Sequence, residues 1–153
     1  MKEQVYIAGP FFNSFQIGVI KNIETELANA GVSYFSPREE GVIAEILPTA
    51  TPKEKEAILK SIYESNVAHL YACQAMVCVI DDRDTGTMWE LGYFSAIRDR
   101  MNHIVTPTVV TFSSQGYGLN VMLSHCSDAH VVDFDNIVPA LQGRYKQKGK
   151  TTT

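Results

Sequence analysis

The stretch Ala75–Ala96, AMVCVIDDRDTGTMWELGYFSA, decides the fold. Its first six residues are a nearly uniform apolar run, suited to a central strand buried on both faces. Asp81-Asp82-Arg83-Asp84 then forms an acidic loop, and Thr85-Gly86-Thr87 opens an aromatic-rich helix that runs to about Arg100. A buried strand, a short loop and a helix in direct succession are the unit from which parallel sheets are built.

The same alternation extends in both directions. QVYIAG is a short strand stopped by Gly9-Pro10, and Ile20, Ile23, Leu27 and Ala30 form a helical stripe that ends at Gly31. VSYFSP reads as a second strand, and REEGVIAEILPTA, without a clean period, as a surface loop. Thr51-Pro52-Lys53-Glu54 is a strong helix start, with Thr as cap, Pro at the first helical position and Glu three residues after the cap. The helix that follows places Leu59, Ile62 and Leu70 on one stripe, with Asn66 in register. HIVTPTVVTF gives one or two strand pieces around Pro107, LNVMLSH a short helix, AHVVDF a last strand and DNIVPALQGRY a closing helix. The expectation is one α/β domain over residues 1–143, an open, mostly parallel sheet with helices on both faces, and a basic tail from 144 to 153. In such sheets ligands gather at the carboxyl ends of the strands. That edge collects the loops after Ala8 and Ile80 and the segment around Asn120.

Composition narrows the function classes. A chain of 153 residues, 45% hydrophobic and 20% charged, is ordinary for a globular domain. A net charge of -4 argues against a nucleic-acid partner, which needs a concentrated basic face. No apolar run approaches the roughly 20 residues of a membrane helix, and the start lacks a signal-peptide segment, so the expected location is cytoplasmic. Cys73, Cys78 and Cys126 form no CxxC pair, and His69, His103, His125 and His130 show no ligand spacing, so neither a disulfide framework nor a metal site is expected. There is no GxGxxG or GxxxxGK[ST] motif either.

The chemistry concentrates in a few side chains. Thr87-Met88-Trp89-Glu90 fits a capping box, with Thr87 as cap and Glu90 reaching back to its backbone. Glu90 is nevertheless flanked by Trp89, Leu91, Tyr93 and Phe94, with Gly92 opening space beside it, which suits a caged nucleophile or base. The two roles are compatible. Asp84 is a turn residue or cap, or else a second carboxylate converging on Glu90; Asp81 and Asp82 read as plain turn residues. Phe11 and Phe12 follow Gly-Pro at the expected ligand edge, where a ring can stack on a planar base, although Phe pairs are more often core. Asn66 is either a satisfied buried amide or a hydrogen-bond donor into the site. Asn120 reads most simply as a cap and Met122 as core.

Taken together, YIAGPFFN, FSPREE, YESNVAHL, DTGTMWELGYFSA and LNVML resemble the nucleoside 2-deoxyribosyltransferases, in family order from about Val5 to about Phe134. The resemblance implies a flavodoxin-like fold and a double displacement without cofactor or metal. Glu90 attacks C1' of a 2'-deoxynucleoside, the base leaves, and a second purine or pyrimidine base captures the ester with retention. Tyr6 matches the tyrosine that positions the nucleophile, and Asp84 the carboxylate that bonds the base. Phe11, Phe12 and Gln16 match the base pocket, and Gly86 belongs to the substrate-binding D-x-G-T-x-x-E block. Asn66 stands where many members carry an aspartate for the deoxyribose hydroxyls, and Glu64 is a nearby carboxylate available to compensate. Asn120 and Met122 match a segment that binds the 5'-hydroxyl in a neighbouring subunit, which implies a dimer or hexamer.

Two other readings compete. A hydrolase of deoxynucleoside 5'-monophosphates shares the glutamate; Asn120 and Met122 favour a free 5'-hydroxyl, while Ser113-Ser114 keeps a phosphate in view. A non-catalytic nucleotide-binding domain is the alternative from another class.

Overall fold

A computed structural model describes residues 5–40, 47–100 and 108–146. The elements are β1 (Val5–Ala8), α1 (Ser14–Asn29), β2 (Tyr34–Phe35), α2 (Pro52–Ala72), β3 (Ala75–Val79), α3 (Thr85–Arg100), β4 (Thr108–Phe112), α4 (Val121–Cys126), β5 (Ala129–Val131) and α5 (Ile137–Leu141). Single 3-10 turns at Asp81–Arg83 and Phe134–Asn136 complete the order. The part of the expected surface loop over 41–46, the strand piece before Thr108, His103 and the tail from 147 lie outside the described residues.

All five strands are parallel and ordered β2-β1-β3-β4-β5. This is the flavodoxin-like arrangement, with the order reversing between β1 and β3 and a crevice at their carboxyl ends. β3 is central, as its uniform apolar sequence requires, and its four residues Met76–Val79 are buried. The alternation of side chains splits the core in two. Val5, Ile7, Val77, Val79, Val110, Phe112 and Val131 pack with Ile20, Ile23 and Leu27 of α1 and Ile137 of α5. On the opposite face Tyr6, Ala8, Met76, Cys78 and Val109 pack with Leu70 of α2 and Leu91 and Phe94 of α3. That second face carries the candidate chemistry.

Local signals account for most helix ends. Asn13 caps α1 by accepting from the Gln16 backbone N–H at 3.0 Å, and Gly31 leaves it at φ +69, a left-handed conformation suited to glycine. Thr51 and Glu54 form the full reciprocal capping box of α2. A Cβ at Gly9 would lie 2.6 Å from Ile20 Cδ1 and 3.1 Å from Val79 Cβ, so only glycine lets α1 close onto the sheet where β1 ends.

The expected stripe on α2 does not hold. Leu70 is its one buried residue, while Leu59 is 54% exposed and Ile62 half-buried. Only the last turns of α2 reach the sheet; the first turns present Leu59 and Tyr63 outward. The FSPREE segment acts as a bracket: Ser36 Oγ donates to Glu24 Oε1 at 2.6 Å, and Arg38 Nε to the same oxygen at 3.0 Å. Glu24 is buried on α1, so this motif fastens the exit of β2 to α1 through a charge-assisted network.

Candidate active site

The acidic loop between β3 and α3 is built from three aspartates with three different tasks. Asp81 is buried, not the plain turn residue its sequence suggests. Its carboxylate accepts from Ser113 Oγ at 2.7 Å, Ser114 N at 3.0 Å and Ser114 Oγ at 2.5 Å, locking the end of β3 to the end of β4. Asp82 sits at φ 60 and Arg83 at φ 48, two consecutive non-glycine residues in the left-handed region. Each such residue costs on the order of 1 kcal/mol and persists where its surroundings enforce it. Here the enforcement includes Gln16, whose Nε2 donates to Asp82 Oδ2 at 2.9 Å while its Oε1 accepts from the Phe12 N–H at 2.8 Å. Gln16 therefore couples the Phe11–Phe12 loop to the acidic loop, and both ends of its amide are occupied by protein.

Asp84 is the cap of α3. Its Oδ2 accepts from the Thr87 backbone N–H at 2.8 Å and from Thr87 Oγ1 at 2.9 Å. The cap thus lies three residues upstream of Thr87, which is its partner in the first turn rather than the cap. The reason is Thr85: its helical conformation starts α3 early, so Asp84 takes the capping position and Glu90 is released from any capping box. A Cβ at Gly86 would come within 3.3 Å of Asp84 Oδ2, so glycine there keeps the carboxylate uncrowded.

Glu90 is half-buried over the sheet, and its Oε2 is sealed from water without a hydrogen-bond partner. The Tyr6 hydroxyl is equally sealed and equally unpartnered. The Tyr6 hydroxyl faces the Glu90 carboxyl closely enough for each to shift the other's protonation, yet outside the geometry of a formed hydrogen bond. Burial pushes the Glu90 carboxyl up from 4.5 to about 7; the Tyr6 hydroxyl opposes the rise, and the Asp84 charge adds to it. Burial and then the Glu90 charge push the Tyr6 phenol well above its ordinary value, so it remains a neutral donor. Tyr6 is held by stacking: its ring lies 5.4 Å from Phe35, which stacks on His69 of α2 at 3.6 Å and 9°. Cys78 of β3 lies under the same carboxylate and is driven toward its neutral thiol by burial, then by Glu90.

The remaining candidates divide. Phe12 is 77% exposed and stacks on half-buried Phe11 at 6.0 Å, so Phe12 is not a core residue. Asn66 is half-buried near the end of α2, one turn beyond Tyr63, whose ring packs on Trp89. Glu64 is exposed and pairs with Lys60 at 3.7 Å along the outer face of α2, so it does not stand in for a sugar-binding acid. Asn120 caps α4, accepting from Leu123 N at 3.0 Å. Met122 is 74% exposed, which overturns its reading as core. Both line a cleft of about 310 Å³ with Ile80, Arg83, Met88 and Leu123, and neither Glu90 nor Tyr6 borders it. Sequence reading missed the part played by Asp81, because a turn aspartate carries no local mark of what it contacts.

Comparison with known proteins agrees with this geometry. The structure superposes on a 2-deoxyribosyltransferase from Bacillus psychrosaccharolyticus with a TM-score of 0.69, at 24% identity, over 88% of this chain and 89% of that one. A conserved protein from Enterococcus faecalis V583 matches with a TM-score of 0.68 at 16% identity, over 95% and 100% of the two chains. An uncharacterized protein of Ureaplasma parvum serovar 3 is 31% identical over 105 residues, 63% of this chain and 62% of that relative's length. Residues 5–122 match the family model for nucleoside 2-deoxyribosyltransferase, a span that holds every candidate site residue named above. The chain belongs to the nucleoside 2-deoxyribosyltransferase family.

Proposed function

We propose that this protein moves a 2-deoxyribosyl group from one nucleobase to another, with Glu90 as the nucleophile. The observation that carries the reading is the pair of buried, unpartnered oxygens, Glu90 Oε2 and Tyr6 Oη, on the sheet face below Asp84. A carboxylate left unsatisfied costs stability, and such groups are retained where chemistry needs them. Ionised Glu90 attacks C1' and the C1'–N bond breaks, its electron pair passing to the departing base with a proton exchanged through Asp84. The resulting glutamyl ester is attacked by the nitrogen of a second base from the same face, so configuration is retained. The lack of a 2'-hydroxyl eases the oxocarbenium-like transition state. Capping uses Asp84 Oδ2 and leaves Oδ1 for the base, while Phe12 offers it an exposed ring. Tyr6 donates to Glu90 as charge shifts during the reaction.

A deoxynucleoside is favoured over its 5'-monophosphate because Ser113 and Ser114, the hydroxyls that kept a phosphate in view, are committed to Asp81. The active unit is an assembly of copies. Trp89, Tyr93 and Ile97 run along the outer side of α3 while Leu91 and Phe94 face the core, and a helix apolar on both sides is typically covered on both. Val121 and Met122, 60% and 74% exposed, line a separate cleft with Ser95 and Arg98 of α3, and Asn120 beside them would complete a neighbour's site. The test incubates thymidine with and without adenine and follows products by chromatography. Deoxyadenosine formation, with thymine release that depends on adenine, is expected; thymine release at the same rate without adenine makes the protein a hydrolase.

A further inference from the structure

The Tyr6 hydroxyl makes no hydrogen bond, so where it points is set by what its ring packs against. That ring lies on β1 beside Phe35, its register partner on β2, with centroids 5.4 Å apart and planes tilted by 39°. β2 is a two-residue strand at the edge of the sheet and gives Phe35 little support of its own. The support comes from α2. His69 lies flat on Phe35, with centroids 3.6 Å apart and planes within 9°. It sits beside Leu70, the buried residue of α2, in the turns where that helix reaches the sheet. Its Nδ1 donates to the Ser65 carbonyl at 2.8 Å, one turn back, because a carbonyl oxygen can only accept. The imidazole is thus fixed within its own helix as well as against Phe35. Aromatic rings pair offset or edge-on rather than in so direct an overlap, so a flat contact this close marks a ring held from behind.

We infer that His69 is a positioning residue for the transfer: pressed against Phe35, it holds the Tyr6 ring at the angle that faces its hydroxyl to Glu90. The effect is steric, carried by two ring contacts from α2 through the edge strand to β1. It requires a flat side chain at residue 69, not an ionisable one. The inference rests on the deoxyribosyl-transfer reading above. The titratable groups that face the Tyr6–Glu90 pair are Asp84 before α3, Cys78 of β3, Cys73 after α2 and Glu40 after β2. All four are retained when residue 69 is changed.

The test compares wild type with His69→Leu, His69→Phe and Phe35→Leu on one deoxynucleoside donor and one acceptor base, over a pH range that spans the acid limb. His69→Leu and Phe35→Leu are each expected to lower kcat about ten- to a hundredfold, with KM for the donor within about twofold of wild type. Each should also move the acid limb of kcat/KM to higher pH, the direction expected when the Tyr6 hydroxyl no longer faces Glu90. His69→Phe keeps a flat ring and should stay within about threefold of wild type with the limb unmoved. Equal losses in His69→Phe and His69→Leu would assign the imidazole a polar role and overturn the steric account. A folded His69→Leu protein with an unmoved limb, whatever its rate, overturns it as well while leaving transfer intact. Should His69→Leu fail to fold, Phe35→Leu against His69→Phe carries the same decision. A wild-type protein that transfers no deoxyribose defeats the transfer reading, and this inference with it.

Discussion

At the scale of single residues, Glu90 is under two opposed demands. Burial makes it a reluctant anion, and the nucleophilic role proposed for it requires it to ionise. With its carboxyl raised to about 7, the acid limb of kcat/KM is expected near pH 7, activity rising as the pH climbs through that value. Tyr6→Phe removes the group that favours the anion, so the limb should move to higher pH; an unmoved limb would separate Tyr6 from Glu90. The same shift has a stability consequence. Between pH 4.5 and about 7 the unfolded chain loses its Glu90 proton while the folded chain keeps it, so folding is weakened as pH rises through this window. Above it the penalty is constant at roughly 3 kcal/mol, an upper figure for a partly relaxing site. Glu90→Gln should therefore be inactive yet melt a few degrees higher than wild type at pH 8, with the difference fading toward pH 4.5. Calorimetry at the two pH values checks both the sign and the window.

Elements decide how those residues meet. Asp81 joins β3 to β4 through three accepted bonds, and the strained turn it anchors delivers Asp84 to the start of α3. Asp81→Ala would leave two seryl groups and a backbone N–H without their acceptor and should cost about 3 kcal/mol, read as a lower urea midpoint at unchanged slope. Activity per folded molecule should fall as well, because Asp84 loses its support. The strand–loop–helix core of the fold was legible in Ala75–Ala96, since a six-residue apolar run and an aromatic helix carry their own periodicity. So was the Thr51 capping box, which is a wholly local device. The start of α3 was not. Thr87 and Asp84 both fit a cap, and only the helical conformation of Thr85 chooses between them. For the same reason Asp81, Asp82 and Asp84 looked alike in sequence: their partners, Ser113, Gln16 and Thr87, lie 32, 66 and 3 residues away.

At the scale of the whole molecule, the two faces of the sheet serve different ends. The α1–α5 face packs an apolar core with Glu24 paired to Arg38 at its rim, whereas the α2–α3 face holds the unpartnered Glu90 and carries Tyr63, Trp89 and Tyr93 in contact on its outer surface. Clusters of this kind are typical of surfaces that associate. Light scattering on the wild type should report a dimer or larger assembly, and Trp89→Glu should shift it toward monomer with loss of activity. A wild-type monomer with full activity would remove Asn120 and Met122 from the neighbour's site. The family and the order of its motifs were readable along most of the chain, yet Met122 looked like core and Leu59 like a buried stripe. Exposed apolar residues cannot be told from core residues by their spacing alone.

The central claim is that the deoxyribose travels on Glu90. It is tested most directly by acid-quenching the enzyme during turnover of a deoxynucleoside without acceptor base, then mapping its peptides by mass spectrometry. The account predicts one deoxyribosyl group esterified to Glu90 and chased off by added adenine. An unmodified Glu90 peptide during active turnover, or an ester on another residue, would contradict it.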